Sequence, residues 1–98
     1  MGRYFGLRNY TRHQQVSSYW KGYPPEVDEV IEIMRYLEWS TSDVIVSGCY
    51  DSWYIWKDND WTDDWDCKVE DVPEWESYGW DQDTMCLNGN FDGLFFFN

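Results

Sequence analysis

The side chains in this sequence that could do chemistry are mostly carboxylates, and they gather in one stretch. "DNDWTDDWDCKVEDVPEWE", residues 58–76, sets nine carboxylates among three tryptophans and a single lysine. Disordered acidic segments are poor in aromatics, so Trp61, Trp65 and Trp75 argue that this stretch is folded. In an extended strand successive side chains point to opposite faces. Asp64-Trp65-Asp66 and Glu74-Trp75-Glu76 would then each bury a Trp and turn two carboxylates outward. Acids two residues apart stand roughly 6–7 Å from one another, near the spacing of phosphates on a nucleic-acid strand. Asp58/Asp60 and Asp81/Asp83 repeat that spacing, and Asp63 falls among them. Such a surface would imitate a nucleic acid: carboxylates meet Arg through paired hydrogen bonds, and exposed rings stack on guanidinium groups. The candidate partner-binding residues are therefore Asp58, Asp60, Asp63, Asp64, Asp66, Glu74, Glu76, Asp81 and Asp83. Solvated acids on the outer face of an ordinary sheet give the same pattern, so a purely solubilising role stays open.

Other uses of these residues are less well supported. Counted from Asp58, the positions Asp58, Asp60 and Thr62 imitate the start of a calcium loop. However, Asp63 stands where the turn glycine belongs and Val69 where the bidentate Glu belongs, which excludes an EF-hand and leaves a looser oxygen site as a minor alternative. Zinc would need His13 with Cys49, Cys67 and Cys86, four residues with no close pair to start a site. There is no Gly-rich phosphate loop and no nucleophile elbow, and His13 lies in a basic, polar stretch that reads as a turn. Paired carboxylates can cleave glycosides, but a chain of 98 residues leaves little room for a cleft. An aromatic carbohydrate-binding module is the more realistic variant. The reading is a binding protein rather than an enzyme, with no cofactor and no metal.

Charge bounds the partners. Residues 1–25 carry Arg3, Arg8, Arg12 and Lys21 and no acid, whereas the remaining residues hold all 19 Asp and Glu against Arg35, Lys57 and Lys68. The net charge of −12 steers the chain toward basic surfaces and away from direct contact with nucleic acid or anionic membrane. A second arrangement, a structural or virion-assembly protein, would set the basic N-terminus of one copy against the acidic region of the next. Three widely spaced cysteines fit reduced thiols. The opening "MGRYFGLRNYTRHQQ" lacks the apolar run of a signal peptide, and Gly6 stands where a myristoylation signal wants Ser or Thr, so the expectation is a cytoplasmic protein.

Several elements must position these acids within a single compact domain. "RYFGLRN" and "QVSSYWK" predict a hairpin with arms at 3–8 and 15–21, within a basic region 1–24. Pro24, Pro25, Glu26, Asp28 and Glu29 suit a helix start, and the periodicity predicts a helix over 25–38 that buries Val27, Val30, Ile31, Met34 and Leu37. An aromatic and acidic strand region follows over 43–98: "VIVSGCYDSWYIW" with a turn at Asp51-Ser52, a turn at Asn88-Gly89, and a last buried strand at Leu94–Phe97. The fold class is α+β, one amphipathic helix packed on a twisted antiparallel sheet.

At "YFGLRNYT", "VSSYWKG" and "DVIVSGCYDSWYIW" the chain resembles small uncharacterised proteins of large DNA viruses or phages, over about residues 4–56. The resemblance carries no catalytic motif. It implies a viral setting, hence the host cytoplasm, where short acidic proteins commonly act by binding, among them inhibitors of host defence nucleases such as anti-CRISPR proteins.

Overall fold

Aromatic and β-branched residues fit a pleated, half-buried surface, and the runs rich in them become strands. The computed structural model of the chain describes residues 4–48, 53–63 and 75–90. The first hairpin is β1 (Tyr4–Asn9) and β2 (Gln14–Lys21), as its two runs predict. After the helix α1 (Val27–Leu37) come β3 (Ile45–Gly48), β4 (Trp53–Lys57), β5 (Asp60–Asp63), β6 (Glu76–Asp81) and β7 (Cys86–Asn90). They form one seven-stranded sheet in the order β5-β4-β3-β1-β2-β6-β7. The fold is α+β, with one helix among the described residues against a mostly antiparallel sheet. The exception is β6, which runs parallel to β2 with Gln14 opposite Glu76 and Val16 opposite Tyr78.

The helix obeys its local signals. Pro25 is buried just before it, and the Glu29 carboxylate turns back to accept the Glu26 backbone N–H at 3.2 Å. It ends on Glu38, whose φ of 56° is left-handed, while Trp39 N–H reaches back to the Met34 carbonyl at 2.9 Å. That is the Schellman arrangement, with Glu where Gly is usual. The buried face differs from the expected stripe. Val30, Ile33 and Met34 are buried, whereas Val27, Ile31 and Leu37 are half-buried. The helix is rotated toward Glu29 and Ile33 because Glu29 is drawn under the sheet by hydrogen bonds. The core joins Val30, Ile33 and Met34 to Phe5, Leu7, Val16, Trp20, Ile45, Trp56 and Trp80.

Two four-residue hairpin loops are built alike. In Asn9–Gln14 the Asn9 Oδ1 accepts the N–H groups of Thr11 and Arg12, both at 3.0 Å, and His13 takes φ 54°. In Asp81–Cys86 the Asp81 Oδ1 accepts those of Asp83 and Thr84, at 2.9 and 3.3 Å, and Met85 takes φ 55°. The same side-chain cap and the same left-handed residue close both loops. Asn88-Gly89 is not a turn. It lies inside β7, where the register against β6 slips by one residue between the Asn90 and Leu87 pairings, so the permissive pair accommodates a bulge. The turn missing from the sequence reading is Asp58-Asn59, which joins β4 to β5 with φ 50° and 65°, the positive pair a type I′ turn requires. Asp51-Ser52 and Leu94–Phe97 lie outside the described residues.

Candidate functional site

Strand directions decide where each acid goes. β1, β4 and β7 run one way, and β2, β3, β5 and β6 the other. The β1–β2 loop and the β4–β5 turn therefore share one end of the sheet, here the upper. The β6–β7 loop lies at the lower end, where β2 also finishes and α1 begins. Asp58 and Asp60 are exposed at the upper end on the outermost β4–β5 hairpin, and Asp63 closes β5 opposite Tyr54. Glu76 starts β6 at the upper end; Asp81 and Asp83 sit at the lower. Asp64, Asp66 and Glu74 lie outside the described residues.

The described acids do not line up as the extended-strand pattern anticipates. Asp58 belongs to a turn with positive φ, so Asp58 and Asp60 are not alternate residues of a strand. Asp83 belongs to a loop that Asp81 caps, so that pair is also broken. Asp60 Oδ1 accepts the Trp61 backbone N–H at 2.8 Å. The Glu76 carboxylate accepts Tyr78 Oη–H at 2.7 Å and Gln14 Nε2–H at 3.1 Å; these bonds hold its pKa below the ordinary value, and the same contact raises that of Tyr78. Trp75 is half-buried. It stacks on His13 with ring centres 5.1 Å apart and meets Tyr10 edge-on at 4.8 Å, so it fastens the entrance of β6 to the β1–β2 loop. Among the described residues no three of His, Cys, Asp and Glu converge as metal ligands, and no helix is long and apolar enough to cross a membrane.

What the fold does bring together is a second set of carboxylates at the lower end. Glu29 is the organiser. Only 7% exposed, its Oε2 accepts the indole N–H of Trp20 at 3.2 Å, that of Trp80 at 3.0 Å, and Gln82 Nε2–H at 3.5 Å. A buried carboxylate needs such donors, because an unpaired charge away from water is strongly unfavourable. The bonds tie the first turn of α1 to β2 and to the β6–β7 loop. Glu26 and Asp28, exposed on that first turn, are thereby fixed at the same end as Asp81 and Asp83. The sequence reading assigned Glu26 and Asp28 to the helix dipole alone. The spacing of the two groups along the chain, more than fifty residues, gave no sign that they share an end.

Among the described N-terminal cations, Arg8 and Arg12 are taken up by the fold. Arg8 is 4% exposed within β1, and Arg12 Nε bonds Asp43 Oδ2 at 2.6 Å. Arg35 pairs with Glu32 at 3.0 Å on the helix surface. In comparisons with protein-family models, curated proteins and solved structures, nothing matches this chain.

Proposed function

We propose that the chain is a non-enzymatic acidic binding protein that occupies a basic protein surface, one that normally holds nucleic acid. The observation that carries this reading is the Glu29 junction. It holds Glu26, Asp28, Asp81 and Asp83 at one end of a rigid sheet, so their negative charge is presented without the entropy cost of ordering a loose acidic tail. Asp58 and Asp60 form a second, smaller acidic point on the outermost hairpin. Carboxylates so placed suit Arg-rich grooves, where charge complementarity accelerates association and excludes acidic competitors. In the viral or phage setting that the resemblance implies, a host defence nuclease is a fitting partner, which makes the chain an anti-CRISPR-like inhibitor.

The test is affinity capture from host extract with the wild type and with Glu26→Gln, Asp28→Asn, Asp81→Asn and Asp83→Asn combined. Asn serves at position 81 because Asn9 already caps the equivalent loop through the same atom. The expected main partner is a nucleic-acid-binding protein that the wild type captures and the neutralised variant loses, with duplex DNA or RNA competing for it. Capture that is unchanged by neutralisation, or a ternary complex with nucleic acid still bound, overturns the reading.

A further inference from the structure

The hairpin β4–β5 carries a pair of hydrogen-bond donors that the reading above does not use. Its two-residue turn sets Trp56 directly opposite Trp61, next to the closing pair Lys57–Asp60. Directly opposed residues share a face with their side chains close together. That face is the one toward the core, since Trp56 is 2% exposed and Trp61 packs against the same cluster. Both indole Nε1–H groups are buried without a hydrogen-bond partner, and so is the Ser47 hydroxyl on the adjoining β3. Ser47 is opposite Tyr54, which places it on the same face as Trp56. Three buried polar groups on neighbouring strands thus lack partners, where buried donors ordinarily have them.

The same chain shows what two indole donors do when an acceptor is present. Trp20 and Trp80, on β2 and β6, share one carboxylate oxygen of Glu29 at 3.2 and 3.0 Å. We infer that Trp56 and Trp61 form a second indole clamp, a binding site for the carboxylate of a small apolar acid. Its ring or chain would lie against Ile45, Tyr54 and Phe5, and its carboxylate would take the two indole N–H groups with the Ser47 hydroxyl beside them. Charge favours this ligand over a neutral carbonyl, because hydrogen bonds to an ionised acceptor are the stronger ones. Entry is from the β5 side. Trp61, half-buried on the outermost described strand, is the more accessible of the two indoles.

The probe is sodium benzoate, titrated at constant ionic strength into uniformly ¹⁵N-labelled protein, with the eight indole N–H resonances followed by NMR and benzamide as the neutral comparison. The expected result is a saturable shift of the Trp56 and Trp61 resonances, with Trp20 and Trp80 still and benzamide at least about tenfold weaker. Trp61→Phe should abolish the response of Trp56. Should that variant fail to fold, the wild-type titration decides alone. Unmoved Trp56 and Trp61 resonances, a linear drift of all the indoles together, or an equal response to benzamide would each overturn the assignment. The first of these would leave ordered internal water as the partner of the two donors.

Discussion

Asp43 shows how much one side chain can hold. Its Oδ2 accepts Asn9 Nδ2–H at 2.9 Å, Arg12 Nε–H at 2.6 Å and the Ser40 backbone N–H at 3.0 Å, joining the β1–β2 loop to the segment before β3. Burial pushes its pKa up, but the bonds from Asn9, Arg12 and Ser40 outweigh burial and hold it below its ordinary value of 3.8. A carboxyl lowered on folding adds stability above its unfolded pKa and loses it as pH falls through the folded one. Asp43→Asn should therefore cost about 1–3 kcal/mol at neutral pH, and the gap to wild type should close as pH drops below 3.8. Urea unfolding at a series of pH values checks both. Glu29→Gln, read by thermal melts, should cost about 2–3 kcal/mol, since an amide turned toward two indole donors replaces a charged acceptor. Neither role was legible beforehand. "STSD" reads as an interruption after the helix; only the Ser40 contact of Asp43 is local, while its side-chain partners Arg12 and Asn9 are 31 and 34 residues away, beyond any local pattern.

Elements were more legible than sites wherever one periodicity governed them. The first hairpin and the helix follow from runs that bury one face, and their boundaries fall within two residues of those expected. The buried face departs from the expected stripe because Glu29, expected only to complement the helix start, is drawn inward by indole donors, so Ile33 is buried where Ile31 is expected. The consequence is measurable. Ile33→Ala, fully buried, should cost about 2–4 kcal/mol, and Ile31→Ala about 1 kcal/mol, by denaturant midpoints at equal slope. Asp58-Asn59 was hidden in a run of acids, whereas Asn88-Gly89 advertised a turn that the sheet absorbs as a bulge; turn chemistry permits a shape, and strand pairing chooses it. Glu38 at φ 56° is a further strained point. Glu38→Gly should raise stability by about 0.5–1 kcal/mol, visible as a higher melting temperature, because glycine adopts this conformation without a Cβ clash.

At the scale of the whole molecule, charge works against the compact state. Arg12 and Arg35 are each paired with one acid, Asp43 and Glu32, so these two cations do not offset the remaining carboxylates of a chain with a net charge of −12. Raising salt from a few millimolar to about 0.15 M, where the Debye length is about 8 Å, should raise the melting temperature, and calorimetry at several ionic strengths checks this. The acidic character was plain from composition. Its division between two ends of the sheet was not, because it depends on which strands run parallel. The parallel seam between β2 and β6 also imposes a schedule. On the ribosome, β1 to β5 can pair as antiparallel neighbours while β2 still shows an open edge, with Trp20 and Glu29 short of the Trp80 and Gln82 contacts. Until β6 and β7 arrive, the nascent chain is a sheet inviting the wrong strand, and the Trp80–Glu29 bond is the lock that ends that exposure.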